Sequence, residues 1–223
     1  MSYQNNQVII YTDNPEQYSD SNISKYMELK FCSCPMKFCN TMLEKEYSGM
    51  ILDVRKIMQT PCGERNRILS ISKAIPTIRS IEKHKETVFL DDHENFICDC
   101  LNRKCRLAKS SCPINVNIPI EISFENDPAM SKSVNGAVHH LCAEGCFFHT
   151  DADLKDNNFL NLKIYSLKNR LPIFCGVCTE QNEAQCSCGY RVKFLDIKPD
   201  QKAEIDTIVG DCDERQRVVP PNP

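Results

Sequence analysis

The chain has 223 residues (25.5 kDa), a net charge of -3, a pI near 6.0, fifteen cysteines, seven glycines and no tryptophan. That length suits one large domain or two small ones with an ordinary hydrophobic core, and the mild acidity argues against a chain whose main task is to grip nucleic acid by charge. The opening MSYQNNQVIIYTDNPEQYSD has no basic segment followed by an apolar one, and no apolar run is long enough to span a bilayer, so neither secretion nor membrane insertion is expected. The cysteines are then expected as thiols or metal ligands, because disulfides would lack an oxidising compartment.

In chain order, the first cysteine group is Cys32, Cys34 and Cys39, a C-x-C-x4-C with Cys62 available to complete a tetrahedron. Leu43, Tyr47, Met50, Val54 and Ile57 then recur every three or four residues, which predicts an amphipathic helix from about Thr41 to Met58, ended by Pro61. Ile68, Ile71, Ile75 and Ile78 predict a second helix, split or kinked at Pro76. Cys98, Cys100 and Cys105 repeat the C-x-C-x4-C, with Cys112 nearby. For both groups buried, unligated thiols are the competing reading.

Strict alternation from Ile114 to Phe124 predicts a strand, placed at a sheet edge by Pro119. HHLCAEGCFFH follows, with His139, His140, Cys142, Cys146 and His149 within eleven residues; imidazole and thiolate are the preferred zinc donors, and which of His139 and His140 ligates stays open. Leu160, Leu162 and Ile164 predict a short strand. CGVCTEQNEAQCSC places Cys175, Cys178, Cys186 and Cys188 as C-x2-C-x7-C-x-C, crowded as disulfides but suited to one tetrahedral ion. Two or more zinc ions are therefore expected. The segment 199–223 is polar, ends in VVPPNP, and is expected to be a loose tail. No dinucleotide, P-loop, nucleophile-elbow or H-E-x-x-H motif is present, so no enzymatic activity is expected.

The stretch YSLKNRLPIFCGVCTEQNEAQCSC resembles the C-terminal zinc finger of coronavirus and nidovirus non-structural protein ten, and ENDPAMSKSVNGAVHHLCAEGC resembles the approach to that family's first zinc site. The likeness runs from about Arg65 to Tyr190. It implies an α+β fold: a small irregular zinc-stabilised domain with N-terminal helices, a short antiparallel sheet and a C-terminal zinc ribbon or knuckle. The domains would be residues 1–62 as an extension, 63–195 as the zinc-binding domain and 196–223 as the tail. It further implies a non-catalytic replicase cofactor in the host cytoplasm, within a replication complex. Such a cofactor would activate a viral exoribonuclease and an RNA cap methyltransferase through Arg65–Ile81 and Ser131–Phe148, with Val134, Val138 and Leu141 as exposed anchors, and would bind RNA weakly. Two alternatives stand beside it. One is a zinc-ribbon RNA-binding protein using Lys163, Lys168, Arg170, Arg191 and Lys193; the other is a SET-type methyltransferase, from His140-x-Cys142-x3-Cys146.

Overall fold

The computed structural model describes residues 6–19, 21–83, 86–110, 114–154, 157–178 and 189–217, with the backbone alone for 104–110, 114 and 211–217. The chain forms two compact units, Met1–Lys109 and Ser110–Pro223.

The first unit is built on a five-stranded sheet. Its elements are β1 (Gln7–Tyr11), β2 (Glu28–Cys32), α1 (Pro35–Glu44), β3 (Gly49–Asp53), α2 (Val54–Gln59), α3 (Cys62–Ser72), β4 (Thr77–Lys83), β5 (Glu86–Phe89) and α4 (His93–Ser110). The strand order is β2-β1-β3-β4-β5, parallel except for β5. A parallel sheet covered on both faces reads as unbroken apolar runs. Val8-Ile9-Ile10-Tyr11 and Met50-Ile51-Leu52 are such runs, buried throughout. Val8, Ile10, Ile51 and Ile78 pack with Tyr18, Ile23, Phe96 and Cys100; Tyr11 meets Phe38 of α1, ring centroids 5.1 Å apart.

The expected helix over 41–58 is therefore corrected. Leu43 closes α1, Met50 belongs to β3, and Val54 and Ile57 lie in α2. Both patterns place apolar residues at those positions, but the continuous run after Gly49 is a buried strand. The second expected helix ends at Ser72, and Pro76 leads into β4, where Ile78 is fully buried.

The second unit is a closed barrel of β6 (Ile114–Phe124), β7 (Val134–Cys142), β8 (Gly145–His149), β9 (Phe159–Ile164), β10 (Ile173–Cys178) and β11 (Gly189–Asp196), in the order β10-β11-β8-β7-β6-β9, followed by α5 (Pro199–Arg217). Neighbouring strands are antiparallel throughout. Alternate residues of each strand fill the interior: Ile120, Ile122, Val138, Leu141, Cys146, Phe148, Leu160, Leu162, Ile164, Ile173, Cys175, Val192 and Phe194. Closure removes the sheet edges.

The expected strands over 114–124 and 160–164 are present as β6 and β9. β6 is not an edge, however, since it pairs with both β7 and β9. Pro119 fits because the β9 ladder ends beside it, where its carbonyl accepts the Tyr165 N–H at 3.4 Å. The expected loose tail is also corrected over 199–217. Pro199 opens α5, which packs on β7 and β6 with Ile205 fully buried. The irregular zinc-stabilised α+β domain is thus replaced by a mostly parallel α/β sheet and an antiparallel barrel.

Candidate functional site

β7 and β8 form a hairpin joined by Ala143 and Glu144, with Cys142 paired to Gly145. Val138, Leu141, Cys146 and Phe148 point into the barrel, where they are buried. Their neighbours point out. His140 pairs with Phe147, Phe147 with Arg191 of β11, and Arg191 with Cys178 of β10, so four strands carry one outward row. A second row runs from Cys142 through Gly145 and Lys193 to Gly176. The register shift between Val138 and His140 inserts His139 as an extra residue, leaving both histidines half-buried.

The rings gather closely. His139 and His149 have centroids 4.5 Å apart, Phe147 stands edge-on to His149 at 5.0 Å, and His140 lies 5.7 Å from Phe147. Gly189, opposite His149, makes room for this arrangement, because a Cβ there would overlap the Phe147 ring and sit 2.6 Å from the His149 ring edge. Gly145 meets a similar demand: a Cβ would overlap the Val192 carbonyl oxygen. Partial burial, helped by the neighbouring His139 and His140, pushes the His149 pKa below its ordinary value. Burial raises the Cys178 thiol, opposed by the charges of Lys193 and Arg191. The face thus combines flat imidazole and phenyl rings with a guanidinium and an ammonium, a set suited to stacking a planar base and pairing with phosphate.

The described residues expected as metal ligands divide between the barrel interior, its outer face and the first unit. Cys146 and Cys175 lie in the apolar barrel interior, where burial drives both thiol pKa values well up; a zinc ligand must be a thiolate, and this environment opposes one. His139, His140, His149, Cys142 and Cys178 sit on the outer face described above. In the first unit, Cys32 and Cys39 are buried while Cys34 and Cys62 are exposed. Cys98 is exposed and Cys100 is buried with its pKa raised to about 12, because residues two apart on α4 face different ways. The Cys105 side chain, Cys112, Cys186 and Cys188 lie outside the described residues. Among the described residues no group of three or more His, Cys, Asp or Glu is placed to hold a metal. The expected zinc ions are corrected accordingly. Of the expected partner anchors, Val138 and Leu141 are fully buried and cannot serve.

The fold and this face define a small antiparallel barrel with an outward ring-and-cation surface. Residues 102–211, just under half of the chain, match the family model of the PilZ domain. No curated protein matches. Among solved structures, the chain is similar to the PilZ domain of CeSA from a cellulose-synthesizing bacterium (16% identity, 46% of this chain and 99% of that one, TM-score 0.32). It is also similar to the Bacillus subtilis inhibitor of motility MotI/DgrA (11%, 60% and 56%, 0.36) and to the PilZ domain of YcgR from Escherichia coli, solved with c-di-GMP (10%, 48% and 90%, 0.35).

The PilZ match covers the HHLCAEGC and CGVC segments that carried the likeness to non-structural protein ten, and it overturns that likeness. With it go the viral exoribonuclease and cap methyltransferase as partners, the weak RNA binding and the host-cytoplasm replication complex, which rested on that likeness alone. The zinc-ribbon and SET-type alternatives give way to the PilZ match as well. Among the described residues no helix is long and apolar enough to cross a membrane.

Proposed function

We propose that the barrel unit is a non-catalytic regulatory module that binds cyclic di-GMP on the outer face of β7, β8 and β11. The observation that carries this is the PilZ match over residues 102–211, which includes the whole face. The YcgR PilZ domain is known in complex with that nucleotide, and the chemistry here supports the transfer. Cyclic di-GMP presents two planar guanines and two phosphodiester anions. His140, Phe147, His149 and the plane of Arg191 offer surfaces on which a base can stack, and stacking of this kind contributes about 1–3 kcal/mol per base. Arg191 and Lys193 supply charge-assisted hydrogen bonds to phosphate. Gly145 and Gly176 flank Lys193 in the outward row, so no side chain on either side of it competes for the ligand.

The module has no need of a nucleophile or general base; occupancy itself is the signal. The test is a titration of the purified chain with cyclic di-GMP, GMP and GTP. Saturable binding of the cyclic dinucleotide in preference to both mononucleotides supports the reading, and equal or absent binding contradicts it.

A further inference from the structure

Glu144 stands at the tip of the β7–β8 turn, between Cys142 and Gly145, and is held from two sides. Its carbonyl accepts the Phe194 N–H at 2.9 Å, and its carboxylate pairs with Lys202 Nζ of α5 at 2.9 Å. The helix that carries Lys202 is firmly anchored. Gln201, 1% exposed, accepts the Lys198 N–H at 3.1 Å and donates to the Asn169 and Leu171 carbonyls at 3.1 and 2.8 Å. Ile205 is buried in the barrel core, with Ile208 and Val209 packed against it. Turn and helix are each fixed, so the soft element is the ion pair that joins them. Its two side chains are 44% and 42% exposed, and such pairs are weakly held. A lysine on its four-carbon stem can exchange one anion for another, and a phosphate is a strong acceptor of charge-assisted hydrogen bonds.

We propose that Lys202 is an affinity-determining cation of the nucleotide face, held in reserve by Glu144: a phosphate arriving beside Cys142 and Gly145 takes Lys202 from the Glu144 carboxylate. The inference rests on the nucleotide reading above and assigns α5 a part in it. Glu144 then acts as an internal competitor, an anion of the chain occupying the cation that the ligand needs. The two residues have opposite effects on affinity, although they form one pair.

The test is a cyclic di-GMP titration of the full chain and its Glu144→Gln, Lys202→Met and Lys202→Arg variants at two salt concentrations. Glu144→Gln is expected to tighten binding about two- to fivefold, the scale of an exposed ion pair released. Lys202→Met is expected to weaken it by at least as much and to make the affinity less sensitive to salt, because one screened cation–phosphate attraction is lost. Lys202→Arg should stay near the parent. A merely structural pair predicts weaker binding in both Glu144→Gln and Lys202→Met, and that result, or unchanged affinity in both, overturns the proposal while leaving the nucleotide reading intact. Absence of binding by the unaltered chain overturns both.

Discussion

Replacing Cys175 by alanine separates the apolar-core account of the barrel cysteines from a metal account, because the two differ severalfold in magnitude. Cys175 is fully buried among Ile173, Leu160 and Phe194, and its thiol faces the Ile173 carbonyl at 3.3 Å. Removing the sulfur loses the transfer free energy of one group of roughly methylene size, about 0.8 kcal/mol. The void adds about 24 cal/mol per Å³, so an unrelaxed cavity on the order of 20 Å³ contributes about 0.5 kcal/mol more. The expected cost is about 1–1.5 kcal/mol, which shifts a urea midpoint by roughly 0.5–0.75 M for an m-value near 2 kcal/mol/M. A structural zinc site, by contrast, contributes about 10 kcal/mol or more. The assay is urea unfolding followed by far-ultraviolet circular dichroism, with and without a strong chelator. A loss several times larger than expected, or a midpoint that collapses on chelation, would refute the reasoning and return the sulfurs to a metal.

Three further outcomes follow. Gly145→Ala forces a Cβ onto the Val192 carbonyl and should cost about 1–3 kcal/mol of barrel stability, read from the unfolding midpoint, while weakening nucleotide binding by displacing the turn. The folded-state pKa of His149 is depressed, so below its ordinary 6.5 the unfolded chain binds more protons than the folded one. The stability it contributes is present above pH 6.5 and is lost as pH falls through the folded value; His149→Gln should flatten the change in urea midpoint between pH 7.5 and 5.5. Asp53 accepts from the Thr12 hydroxyl at 2.9 Å and caps α2 through the Arg55 N–H at 3.0 Å, so Asp53→Ala should cost the first unit about 1–3 kcal/mol, measured by hydrogen exchange in β1 and β3.

Parts of this structure are legible in the sequence and parts are not, for physical reasons. The alternation of Ile114, Val116, Ile118, Ile120, Ile122 and Phe124 is a strand signature, and β6 is there. That six such strands close into a barrel depends on pairings between distant segments, such as Phe174 with Asp196, which local periodicity does not carry. The cysteine pattern misleads because spacing alone does not distinguish a metal knuckle from a strand. Cys175 and Cys178 are three apart on β10, so one faces the core and the other the surface. Ile173, Phe174 and Val177 between and beside them are the sign of a strand. α5 also has a signal: Pro199 at its start, then Ile205, Ile208 and Val209 at helical spacing. The outer face is half visible. His139, His140 and His149 stand out in sequence, but Phe147, Arg191 and Lys193 join them only through strand register.

The measurement that bears most directly on the central claim is isothermal titration of cyclic di-GMP into the intact chain and into its Arg191→Ala variant, near neutral pH and physiological salt. Arg191 lies on an exposed outward position opposite Phe147, so its loss should spare the fold while removing a stacking plane and a phosphate partner. The account predicts saturable binding by the parent at micromolar or lower concentration and an affinity about tenfold or more weaker in the variant, the scale of one charge-assisted hydrogen bond of about 1.5 kcal/mol or more. No binding by the parent, or equal binding by both proteins, contradicts it.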